Sequence, residues 1–173
     1  MKHIILLLPL FVLLTACEKE FYNISDIDQD VLLKIEYNNM AWGIQHRISL
    51  IEKTGSVRIY NLPESWNYPD TDGYITLSEL NENLDRESEP ACTLDTDDIL
   101  KYFNKLYKVD PEDLTKPLNT ANDAGITRFS GYILDNKSNK YREVLLWQTG
   151  DYTIENRSRE AKQIFEWLQG LCR

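Results

Sequence analysis

Residues 126–149, ITRFSGYILDNKSNKYREVLLWQT, contain two runs rich in β-branched and aromatic residues, separated by a polar turn. Residues 126–134 and 141–149 have the length and composition of β-strands, and residues 136–139 supply the turn. This stretch therefore predicts a β-hairpin, which is the natural nucleus of an antiparallel sheet.

A similar pattern occurs upstream. Residues 44–52 alternate between apolar and polar, and Gly55 lies in a short turn before the strand pattern resumes over residues 56–60. The two runs predict a further hairpin. Residues 31–37 are a candidate for one more short strand.

Two helices are predicted between and after the hairpins. The first follows Asp95, a suitable N-cap, and places Ile99, Phe103 and Leu106 at helical spacing. The second extends over about residues 158–169 and has an apolar face of its own. Acidic residues at the start of the first helix and lysines towards its end complement the helix dipole.

These elements predict a single α+β domain over residues 31–173. We expect a small antiparallel sheet built from two hairpins, with two helices packed on one face. Residues 61–92 contain three prolines and many acidic groups, so they are expected to form a partly ordered insertion, with a short helix possible over 77–84.

The N-terminus carries an export signal. Lys2 precedes an apolar run over residues 4–14, which is shorter than the roughly 20 residues that span a bilayer and suits a secretory signal peptide. The run ends in Leu14-Thr15-Ala16-Cys17, which resembles the lipobox of bacterial lipoprotein precursors: an aliphatic residue, two small residues and a cysteine.

The resemblance to lipoprotein precursors implies a localisation. It implies removal of residues 1–16 as a signal peptide and diacylglycerol attachment at the thiol of Cys17, with a possible further acyl chain on its amine. The mature protein would be anchored by lipid in the cell envelope, on a periplasmic or outer surface. Residues 17–30 are expected to form the lipidated N-terminus and a flexible tether.

Charge narrows the choice of partners. The net charge is −9, so the chain is not expected to bind nucleic acid or to gain from an anionic lipid surface. The charge favours a basic partner or, more simply, keeps the surface soluble.

Two cysteines remain once Cys17 is lipidated. Exported proteins fold in an oxidising compartment, so Cys92 and Cys172 are a candidate disulfide. The alternative is two free thiols, one in the insertion and one at the chain terminus. No CxxC spacing is present, which counts against a redox motif or structural zinc.

Residues 70–79, DTDGYITLSE, resemble the later part of an EF-hand calcium loop. The resemblance implies that Asp70, Asp72, the carbonyl of Tyr74 and Glu79 are calcium ligands. The first ligand position holds Tyr68, however, which has no carboxylate. The alternative is a plain turn at Asp72-Gly73.

Aromatic residues supply the other candidate site. Trp66 and Tyr68 lie in the proline-containing segment and would be anchors of a binding surface if exposed; otherwise the segment folds back and buries them. His46 alternates with apolar residues and is expected to be partly buried and structural.

No catalytic motif is evident, so the chain is expected not to be an enzyme and to need no cofactor, with calcium as the one possible ion. The leading hypothesis is a lipid-anchored protein-binding or inhibitory, immunity-like module. The alternative is a calcium-binding structural or adhesive domain. An envelope hydrolase ranks lowest, because no nucleophile–base pair is visible in the sequence.

Overall fold

The computed structural model describes residues 19–171. Within that range the chain forms nine β-strands, all antiparallel to their neighbours, and three α-helices. The strands are Val31–Asn39 (β1), Gln45–Glu52 (β2), Ser56–Asn61 (β3), Tyr74–Thr76 (β4), Glu89–Thr93 (β5), Leu118–Asn119 (β6), Ile126–Asp135 (β7), Lys140–Gly150 (β8) and Tyr152–Glu155 (β9). The helices are Leu77–Leu84 (α1), Thr96–Leu106 (α2) and Arg159–Gln169 (α3).

One sheet contains all of the strands, in the order β5-β3-β2-β1-β7-β8-β9-β6, with β4 pairing to another part of β8. Both predicted hairpins are present, as β2–β3 and β7–β8. They do not form separate units, because β1 lies between them and pairs with both β2 and β7. The prediction of a small two-hairpin sheet is therefore wrong: β1 joins the hairpins and the shorter strands extend them.

Both faces of the sheet are covered. On one face, which we call the helix face, α2 and α3 bury Ile99, Phe103, Ile164 and Leu168 against the strands. The two helices run antiparallel, since Tyr102 stacks on Trp167 while Lys105, further along α2, donates to Gln163, which comes earlier in α3. The sequence predicts that these two helices pack on the same face. The third helix, α1, lies on the opposite face.

The opposite face, which we call the loop face, is covered by α1 and the loop before it. Leu80 of α1 and Trp66 pack there on Ile48, Leu50 and Tyr60. Residues 61–92 are therefore not an insertion outside the fold. They supply two strands of the sheet and the cover of its loop face.

The predicted flexible tether is also wrong from Phe21 onward. The Phe21 ring is buried against Phe103 and Tyr107, and its backbone N–H and carbonyl both bond the side-chain amide of Asn104. Ile27 is buried too. Burial of these apolar side chains offsets the entropy of ordering a segment that is otherwise polar.

The strands give the sheet two distinct ends. The N-terminal end carries the start of β1, the β2–β3 turn and the β7–β8 turn. The opposite end, which we call the tip end, carries the β1–β2 turn over residues 40–44, residues 123–125 before β7 and the β8–β9 turn at 150–151. At about 3.3 Å per residue, β1 separates the two ends by about 26 Å.

Candidate functional site

Exposed apolar side chains are concentrated at the tip end. Trp42 is 77% exposed, and its neighbours Met40 and Ile44 are exposed as well. Among residues 19–171, the large apolar side chains that are exposed all lie at this end except Tyr22; they are Met40, Trp42, Ile44, Leu62, Tyr68, Leu118 and Tyr152. Met40, Trp42 and Ile44 are close neighbours in the chain, and a group of exposed apolar side chains of this kind on a soluble fold is typical of a binding surface.

The turn over residues 40–44, here called the hairpin tip, has a defined backbone. Gly43 adopts φ of +102°, which suits glycine. The buried Asn39 holds the start of the turn, because its Oδ1 accepts from the Ala41 N–H at 2.8 Å while its Nδ2 donates to the Asp123 carbonyl at 3.2 Å. The tip therefore presents Trp42 from a constrained loop.

A cleft of about 520 Å³ lies beside the hairpin tip. Its wall includes Met40 and Ile126, and its polar groups come mainly from β1, β7 and the two turns of the tip end. These polar residues are Glu36, Asn38, Asn39, Asp123, Arg128 and Asp151. The cleft thus combines an apolar rim with three carboxylates and one guanidinium.

Hydrogen bonds fix the walls of the cleft. Asp151 Oδ1 accepts from the Ala124 N–H at 2.8 Å, and the Asp151 N–H donates to the Gly125 carbonyl at 2.8 Å. Arg128 donates through Nε to Gln148 Oε1 at 2.9 Å. The cleft is therefore pre-organised, which lowers the entropy lost when a ligand binds.

A buried charge network lies behind the cleft on the loop face. The ammonium of Lys34, only 2% exposed, lies 3.1 Å from Glu36 Oε2 and 2.8 Å from Glu143 Oε1. The other oxygen of Glu36 lies 3.0 Å from His46 Nε2, and the Tyr68 hydroxyl lies 3.3 Å from the same nitrogen. His46 is thus a partly buried structural residue, as predicted.

Burial and pairing act in opposite directions on the pKa values of this network. Burial alone would raise the pKa of Glu36, but the charge and hydrogen bond of Lys34, helped by His46, outweigh it and lower the pKa. Burial alone would lower the pKa of Lys34, but Tyr132, Glu143 and Glu36 raise it. Both groups therefore stay charged at neutral pH. Lys34 is accordingly not suited to act as a nucleophile.

The two aromatics predicted as binding anchors differ in their surroundings. Trp66 is buried and packs edge-on against Tyr60 at 5.1 Å, so the fold-back alternative holds for it and it is not available as an anchor. Tyr68 is 51% exposed and stacks on His46, which places it at the tip end. Of the predicted pair, only Tyr68 belongs to the candidate site.

The calcium-loop residues are engaged in local hydrogen bonds. Asp70 Oδ1 accepts from the N–H groups of Asp72 and Tyr74 and forms the turn. Glu79 Oε2 accepts from the backbone and hydroxyl of Thr76 in a capping box at the start of α1, which lowers the pKa of Glu79. Across residues 19–171 no three metal-ligating side chains converge. Calcium binding stays a prediction that no contact here supports.

Two of the three cysteines predicted as lipid or disulfide sites, Cys17 and Cys172, lie outside the described residues. Cys92 is half-buried in β5, and it packs against the helix-face core that Leu171, the last described residue, also contacts. A bridge between Cys92 and Cys172 stays a prediction.

The hairpin tip was missed by the sequence prediction, which placed Ile44 in the strand over residues 44–52. The available signal was three large apolar residues within residues 40–44, where a hairpin turn normally carries polar ones.

Comparison with known proteins adds no relative: no family model, characterised protein or solved structure matches the chain. Among residues 19–171 no helix has both the length and the hydropathy needed to cross a bilayer.

Proposed function

We propose that this chain is a lipid-anchored envelope protein that acts as a non-enzymatic protein-binding module, of the kind that inhibits or neutralises a partner, and that it binds through its tip end. The observation that carries the proposal is the cluster of exposed apolar side chains around Trp42. Exposed aromatics at the centre of a patch are the residues that most often dominate protein interfaces.

The position of Phe21 supports a fixed orientation on the membrane. Only residues 18–20 separate Cys17 from Phe21, whose ring is buried under α2. Even fully extended, the four residue steps from Cys17 to Phe21 reach only about 14 Å, at about 3.5 Å per residue. A link this short keeps the domain close to the bilayer surface.

The same orientation directs the tip end outward. The segment that follows Phe21 leads to the N-terminal end of the sheet, where Gln29 bonds the backbone of Val31 and Tyr132. The tip end lies about 26 Å away along β1. Its apolar side chains would therefore be available to a partner in the surrounding compartment.

The anchor is tested by Cys17→Ser. We expect the variant precursor to stay unlipidated and uncleaved by the lipoprotein peptidase, because the thiol that accepts the lipid is absent. Intact mass and detergent-phase partitioning measure both steps. A variant with the same mature mass and the same partitioning as the wild type would contradict the lipoprotein assignment.

The binding surface is tested by site-specific photo-crosslinking in cells that express the full lipoprotein. A photoreactive residue at Ile44, which is exposed beside Trp42, is expected to give a discrete protein adduct. Adding Trp42→Ala should reduce that adduct at least several-fold, since truncating a central aromatic weakens an interface by about 2 kcal/mol or more.

Lys162 on α3 is the matched control, because its side chain is similarly exposed and lies on the helix face. A photoreactive residue at position 162 is expected to give no discrete adduct. Equal adducts at positions 44 and 162, or an adduct at 44 that persists in the Trp42→Ala variant, would contradict binding through the tip end.

A further inference from the structure

The cleft beside the hairpin tip has an acidic character that its own residues do not neutralise. Glu36 forms an ion pair with Lys34 and a hydrogen bond with His46. Asp123 and Asp151 form no ion pair with any residue in the 19–171 range, although both line the cleft. Two carboxylates are therefore left without a basic partner in a concave site.

The floor of the cleft adds to this negative potential. Asn38 lines the cleft, and its Oδ1 is covered from solvent and accepts no hydrogen bond from any residue in the 19–171 range. An uncompensated carbonyl dipole in a poorly solvated position contributes to the local field.

Arg128 is the one cation that lines the cleft among residues 19–171. Its side chain is tied to Gln148 through Nε, at 2.9 Å. Against this single positive charge stand the carboxylates of Asp123 and Asp151, within a protein whose net charge is −9. The balance favours a cationic ligand.

We infer that the tip end recognises a basic protein segment, with a lysine or arginine side chain of the partner in the cleft and an adjacent apolar side chain on Trp42. The inference rests on the proposed function and names the chemistry of the partner. Charge complementarity selects the occupant, because the apolar rim supplies contact area while the carboxylates of Asp123 and Asp151 outnumber Arg128, the one cation of the cleft lining.

The cleft is tested with a small probe on the full lipoprotein in detergent micelles. N-acetyl-arginine amide is titrated while the amide resonances of Asn38, Gly125 and Ile126 are followed by NMR. We expect saturable shifts at these positions, with a dissociation constant in the millimolar range. The neutral isostere N-acetyl-citrulline amide should bind at least five-fold more weakly, since it lacks the charge.

Asp123→Asn is the variant that isolates the carboxylate. Asp123 has φ of +63°, a conformation that asparagine adopts as readily as aspartate, so the loop is preserved. We expect a two- to five-fold loss of affinity for the arginine probe, in line with one exposed charge pair. Asp97→Asn, which removes one exposed acid from the first turn of α2, is the control and should leave the affinity unchanged.

Equal binding of the arginine and citrulline probes would overturn the inference, and so would an equal effect of Asp97→Asn and Asp123→Asn. Shifts at the same resonances with inorganic phosphate would also overturn it, because they would assign the cleft to an anion held by Arg128. If the arginine probe does not bind but the crosslinked adduct at position 44 is still formed, only the basic character of the partner is ruled out. Loss of the adduct with the arginine shifts intact would instead contradict the proposed function.

Discussion

Lys34→Met is expected to lower the free energy of unfolding by about 3–5 kcal/mol. Methionine is unbranched and similar in length to the aliphatic part of lysine. The substitution therefore removes little more than the ammonium that forms ion pairs with Glu36 and Glu143. Removing one partner of a buried ion pair leaves an uncompensated charge, which costs far more than the pair itself contributes. Urea unfolding at neutral pH, followed by tryptophan fluorescence, measures the loss.

The loss should depend on pH in a defined direction. In the wild type the pKa of Glu36 is lowered, so its contribution to stability is present above the value of about 4.3 for an exposed glutamate and disappears as pH falls through the folded pKa. Without Lys34, burial raises the pKa and the carboxyl takes up a proton more readily. The difference between variant and wild type should therefore shrink as pH is lowered towards 3.

Lys53→Met is the control for loss of a lysine. Lys53 lies 3.3 Å from Asp30 in a pair that solvent reaches, so its removal should cost about 0–1 kcal/mol. Adding Glu36→Gln to Lys34→Met should restore part of the lost stability if unpaired charge is the cause. Equal losses for the two lysines, or no recovery in the double variant, would show that Lys34 contributes packing alone.

The sequence was informative where local chemistry and burial agree. Asp95 caps α2 as predicted, and Ile99, Phe103 and Leu106 are buried on the face that their spacing indicates. The short helix Leu77–Leu84 also has the predicted bounds, because Thr76 and Glu79 form a capping box that the local sequence supports. In these cases the residues that determine the helix lie within one or two helical turns of each other.

The sequence was least informative for strands that are defined by pairing with a neighbouring strand and not by their own alternation of apolar and polar residues. β5 is an edge strand, mostly exposed, and contains Pro90, so it shows none of the alternation that marks a half-buried strand. β4 has only three residues and is held by its pairing with β8. Neither strand can be recognised without knowing the neighbour that it joins.

The candidate site shows the same limit. Its carboxylates, Glu36, Asp123 and Asp151, are far apart in the chain and meet only because β1, β7 and β8 pair in register at the tip end. The burial of Trp66 depends on the loop after β3 folding back over Tyr60. The exposure of Trp42, by contrast, could have been inferred from an apolar residue beside a turn glycine.

Gly150→Ala is expected to destabilise the fold by about 2–6 kcal/mol. Gly150 links β8 to β9 with φ of +110°, a conformation that costs a non-glycine residue about 1–3 kcal/mol. A Cβ at this position would also lie inside van der Waals contact of the Gly125 carbonyl oxygen, which is backbone and cannot rotate away. Displacing that backbone adds about 1–3 kcal/mol.

Gly43→Ala separates the two terms. Gly43 has φ of +102°, close to that of Gly150, but a Cβ there would meet no atom within 4 Å. It should therefore show the conformational cost alone, and the difference between the two variants in urea unfolding measures the clash. The close approach of Gly150 to Gly125 joins two walls of the cleft, so Gly150→Ala should also disturb the Gly125 and Ile126 resonances. Equal stability of the two variants would mean that the β8–β9 turn and the segment 123–125 before β7 are not packed against each other.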